Sequence, residues 1–76
     1  MMETVADALA IMKRQAELEA GLRQPGGIRV TAEGELYALR QRLQRYPEAV
    51  AAILQTASNL RRPVDALSVE DVRHTA

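Results

Sequence analysis

Between Thr31 and Arg61 two runs of helical periodicity, TAEGELYALRQRLQRY and PEAVAAILQTASNLR, meet at Tyr46-Pro47 with no linker between them. Proline at the first position of a helix has its φ already set and needs no partner for a missing N–H, so Pro47 opens one helix where another has just closed. Glu48 follows in the first turn, where a carboxylate faces the positive end of the helix dipole. A connection this short predicts that the second and third helices are neighbours. With the helix-favouring composition of the whole chain, the expected class is all-α.

Length narrows the choice. A chain of 76 residues makes one domain, and a domain this small buries only about 60% of the surface its unfolded form exposes. Hydrophobic residues are 47% of the sequence and aromatic residues 3%, with no Phe or Trp, so the core is built from Ala, Leu and Val in thin layers. The abundance of Ala, Leu, Glu, Gln and Arg favours helix. The expected fold is a single helical domain over residues 1–76, with helices at about 3–22, 33–46, 47–61 and 69–74 and a linker at 23–32. It is a three-helix bundle, or a helical hairpin plus an N-terminal helix, with a short C-terminal helix and oligomerisation completing the core.

In the first helix Val5, Leu9, Met12 and Ala16 form one stripe. Ile11, Leu18 and Leu22 form a second, roughly 120° away at 100° per residue. A helix with two stripes needs two neighbours. Gln24-Pro25-Gly26-Gly27 ends it. Ile28-Arg29-Val30-Thr31 alternates and is β-branched, but one short strand has nothing to pair with, so an extended linker is expected there. Thr31 then reads as an N-cap, with Glu33 and Glu35 in the first turn of the second helix.

That second helix carries Leu36, Leu39, Leu43 and Tyr46 as a narrow apolar seam, with Arg42 and Arg45 behind it, Arg40 at its edge, and Tyr37 pointing away. In the third helix Val50, Ile53, Leu54, Ala57 and Leu60 form the expected buried stripe. Ala51, Ala52, Gln55, Ser58 and Asn59 face the other way, and no charge falls between Glu48 and Arg61. Three turns without charge imply protein on more than one side. Beyond Arg62-Pro63, Ser68 and Asp71 have the spacing of a capping box, so a last helix starts at Val69, with Val64, Leu67, Val69 and Val72 covering an open edge of the bundle.

Several functions are disfavoured by what the chain lacks. There is no cysteine, hence no disulfide, thiolate nucleophile or cysteine-based zinc site. His74 stands alone, so no metal or catalytic residue is assigned. Gly26-Gly27 lacks any accompanying phosphate-loop pattern, and no cofactor is expected. The acidic residues sit at helix starts and on mixed-charge faces, and nothing gathers them into an acid–base site. No apolar run approaches the roughly 18 residues of a membrane span, and the expected location is the cytoplasm.

Binding remains. The preferred reading is a small non-catalytic interaction module, an adaptor, chaperone-like or inhibitory subunit. Its partner is itself, as a homodimer, or another protein, engaged through Ala51, Ala52, Gln55, Ser58 and Asn59 together with Ile11, Leu18 and Leu22. The alternative is a nucleic-acid-binding regulator using Arg40, Arg42, Arg45, Arg61 and Arg62, since residues 36–62 hold five Arg and one acid. Zero net charge and acidic flanks weigh against it.

Overall fold

The computed structural model describes residues 2–23 and 29–75. The expected turn at Pro25-Gly26-Gly27 and the Ile28 end of the candidate strand lie outside them. The chain is all-helical, with α1 (Met2–Leu22), α2 (Arg29–Leu43), α3 (Pro47–Leu60), a 3₁₀ turn (Val64–Ala66) and α4 (Val69–Thr75). Among the described residues there is no strand.

Three expected boundaries move. Residues 29–32, assigned to the linker, are helical, so Thr31 is the third residue of α2 rather than its N-cap, and its first turn carries no acid. Val30 and Thr31 cost a helix only a few tenths of a kcal/mol each, less than leaving an unpaired strand. At its other end α2 stops at Leu43, and the chain tightens through i→i+3 bonds: the Arg45 amide donates to the Arg42 carbonyl (3.2 Å) and the Tyr46 amide to that of Leu43 (2.9 Å). α3 ends at Leu60, because Arg61 takes the left-handed conformation with φ 54 and ψ 45. The Arg61 amide then donates to the Ser58 carbonyl (3.3 Å) and the Arg62 amide to that of Ala57 (3.1 Å). This is a Schellman closure with arginine where glycine is usual.

The packing corrects a larger expectation. α2 and α3 do not lie along each other; α1 packs against α2, α3, the 3₁₀ turn and α4, while among the described residues the only extensive contact of α2 is with α1. The reason lies in the two stripes of α1. Val5, Ala8 and Leu9 enter the main core with Ala49 and Ile53 of α3, Leu67, and Val72 of α4. Ile11, on the other stripe, is buried outside that cluster, as are Leu36 and Leu39 of α2. Each neighbour has its own bed on α1, and the Tyr46-Pro47 corner carries the chain from one to the other. The seam of α2 is otherwise as expected: Leu36 and Leu39 are buried, and Leu43 and Tyr46 pack against the main core.

The buried stripe of α3 is rotated from the expected one. Ala49, Ile53 and Thr56 are buried, whereas Leu54 is 52% exposed. The rotation is possible because the hydroxyl of Thr56 donates to the carbonyl of Ala52 (2.8 Å) and meets that of Thr75 (2.7 Å), which itself donates to the Asp71 carbonyl (3.0 Å). A threonine that bonds back onto its own helix can be buried without an unpaired group. The C-terminal segment behaves as expected, with Leu67 and Val72 1% exposed and Val64 and Val69 packed beside them.

Candidate interaction surface

The Cα atoms span 40 × 25 × 14 Å; the Cα cylinder of one helix is about 4.6 Å wide and packed helices lie about 8–10 Å apart, so the bundle is a slab two helix layers deep. A slab has broad faces and little interior. Three of its concavities are open: one of about 300 Å³ at the α2–α3 corner lined by Thr4, Arg45, Tyr46, Pro47, Glu48 and Ala49, a second of about 250 Å³ between α1 and α2, and a third of about 520 Å³ over Gln41, Arg42, Gln44 and Arg45. The second is crossed by an ion pair. Arg14 on α1 donates from Nε and Nη2 to the two carboxylate oxygens of Glu35 on α2 (2.6 and 3.2 Å) and from Nη1 to Glu17 (3.1 Å). These bonds from Arg14 hold the Glu35 carboxyl below the usual glutamate range. Glu35, expected to serve the start of its own helix, ties two helices together. Among the described residues no three His, Asp or Glu side chains are placed to hold a metal ion.

The residues named as partner contacts divide. Ala51, Gln55, Ser58 and Asn59 are exposed along one side of α3, and Gln55 Nε2 donates to Asn59 Oδ1 (2.9 Å). Ala52 is half-buried against the chain's own core. Ile11 is only 4% exposed, taken up where α1 meets α2, and Leu18 and Leu22 are half-buried further along α1. Of the second stripe of α1, Ile11 therefore serves α2 within the chain.

Sequence reasoning missed Leu54, which it had placed inside. The two large hydrophobic side chains most exposed among the described residues are Leu54 and Tyr37, at 52% and 65%. Leu54 lies between Ala51 and Ser58 on the outward stripe of α3, with Val50 and Ala57 half-buried beside it. The 4-3 spacing of Ala49, Ile53, Thr56 and Leu60 was the available signal, hidden because Thr56 counts as polar.

Arg40, Arg42, Arg45, Arg61 and Arg62 are all exposed, but they do not form one patch. The first three lie at the C-terminal end of α2, while Arg61 and Arg62 follow the far end of the 14-residue α3, about 20 Å away at 1.5 Å per residue. Arg62 also faces Asp71 at 3.9 Å. No helix of the described residues is long and apolar enough to cross a membrane. Comparison with family models, curated proteins and solved structures found no match to this chain.

Proposed function

We propose that this chain is a small non-catalytic protein–protein interaction module of the cytoplasm, an adaptor or inhibitory subunit that works through the outward face of α3. Leu54 carries the reading. It is an aliphatic side chain left 52% exposed at the middle of a helix that has no charge between Glu48 and Arg61. Singly exposed leucines are ordinary, but this one is flanked by Ala51 and Ser58, small side chains that let another helix approach closely. A large apolar residue among small neutral ones is the composition of an interface centre, where charged residues are depleted.

The test is capture from the native host after nuclease treatment, comparing the native sequence with Leu54→Arg. Leu54 is outside the core, so the variant keeps its helical circular dichroism and melting temperature, and it loses a protein that the native sequence retains. Retention of the same proteins by both, or recovery of nucleic acid alone from a sample not treated with nuclease, overturns the proposal.

A further inference from the structure

The outward stripe of α3 is self-complementary. Leu54 stands at its middle, Ala51 and Ser58 lie one turn to either side, and the exposed charges beyond them are Glu48 at the start and Arg61 just past the end. Neither Glu48 nor Arg61 makes an ion pair among the described residues. About a two-fold axis beside Leu54 and Gln55, an antiparallel second α3 sets Ala51 against Ser58 of the other copy and Glu48 against its Arg61, each contact made twice. The Leu54 side chain of each copy then enters the gap left by the small residues of the other, which is how an isologous interface repeats one patch on both subunits. A parallel pairing brings Glu48 to Glu48 and Arg61 to Arg61, and like charges at both ends oppose it.

The backbone at Arg61 adds a second argument. Its left-handed φ of 54 is the single positive value among the described non-glycine residues, in a position that glycine fills at lower cost. An arginine there holds a cation at the end of the stripe, where the antiparallel copy brings its Glu48.

We infer that a second copy of this chain covers the outward face of α3, in an antiparallel α3–α3 pair centred on Leu54, with Glu48 of each copy against Arg61 of the other. The inference rests on the α3 interaction reading and names its partner. One helix pair buries less than the roughly 800 Å² per partner of a standard interface, so the dimer is a weak, concentration-dependent one.

The chain has no cysteine, so introduced thiols report geometry without background. Mild oxidation of an equimolar mixture of Ala51→Cys and Ser58→Cys gives the mixed disulfide as the main product. Ala51→Cys alone gives little, because its two copies sit about 10 Å apart along the helix axis in an antiparallel pair. Sedimentation of Glu48→Arg shows dissociation roughly tenfold easier, and the charge-swapped Glu48→Arg/Arg61→Glu protein returns to the native value. A disulfide of Ala51→Cys with itself in preference to the mixed product, a failure of the charge swap to restore association, or a monomer at millimolar concentration overturns the antiparallel dimer. Circular dichroism of each variant separates these outcomes from misfolding. A monomer that still loses a host protein on Leu54→Arg refutes the dimer alone; a dimer that captures no host protein leaves α3 as a self-association surface and refutes the adaptor reading.

Discussion

Ser68 and Asp71 hold each other at the start of α4: the Ser68 amide donates to Asp71 Oδ2 (2.8 Å), and the Asp71 amide donates to Ser68 Oγ (3.2 Å). Two orphan donors of a seven-residue helix are satisfied at once. The bond from the Ser68 backbone, helped by the Ser68 hydroxyl and by the charge of Arg62, holds the Asp71 carboxyl below the usual aspartate range. A carboxyl depressed in the folded state stabilises it fully above its unfolded pKa, and the contribution is lost as the pH falls through the folded value. The urea midpoint is therefore expected to drop below about pH 4, and to drop less in Asp71→Asn. Ser68→Ala lowers stability by about 1 kcal/mol at neutral pH, read by urea denaturation.

Thr56 and Thr75 share two protons among three oxygen contacts, since their hydroxyls meet each other and each also faces a carbonyl on its own helix. Removing one hydroxyl leaves the other with a partner: without Thr56, Thr75 still donates to Asp71. Thr56→Val keeps the shape and changes stability by less than about 1 kcal/mol, because no buried donor is orphaned. Thr56→Ala removes buried volume as well and costs about 1–2 kcal/mol. Thermal melts of the two variants side by side distinguish them.

Gly34 lies inside α2, and a Cβ added there meets nothing within 4 Å. Its cost is the extra freedom of the unfolded chain. Gly34→Ala raises stability by about 0.5–1 kcal/mol, and amide exchange of α2 slows accordingly.

Arg61→Gly relieves the left-handed arginine and stabilises the single chain by up to about 1 kcal/mol. The same change deletes the cation that α3 offers at its end, so self-association weakens while the melting temperature at low concentration rises. These opposite signs, read by sedimentation and calorimetry, distinguish a residue kept for binding from one kept for folding.

Ile53 and Leu54 are adjacent and differ in burial, 0% against 52%. Ile53→Asp places an unpaired charge in the main core and unfolds the chain. Leu54→Asp leaves the helical signal and cooperative melt intact. Circular dichroism of both variants checks the rotation of α3.

Much of this was legible in the sequence. The two stripes of α1, the seam of α2, the proline corner and the Ser68–Asp71 box each follow from local spacing, and each is present. What local spacing could not give was partner choice. A short connection made α2 and α3 look like a hairpin, but the paired stripes of α1 offer each a separate bed, so α1 is the common neighbour. The rotation of α3 turned on one hydroxyl, and a hydropathy scale values Thr56 without knowing that Ala52 and Thr75 satisfy it. The start of α2 was misplaced because β-branched Val30 and Thr31 were read as extended linker and Thr31 as an N-cap, whereas the helix already runs from Arg29. Ile11 was offered to an outside partner because its neighbour on α2, Leu39, lay across the glycine linker in sequence.

The central place of α1 also sets the order in which the chain becomes stable during synthesis. α1 is made before the other helices, yet Val72, which closes the core over Val5 and Leu9, is made more than sixty residues later. At about 5–20 residues per second the Val5–Leu9 stripe of the nascent helix waits several seconds for its last cover. A product that stops before α4 leaves Val5 and Leu9 without Val72 and is expected to melt below the full chain.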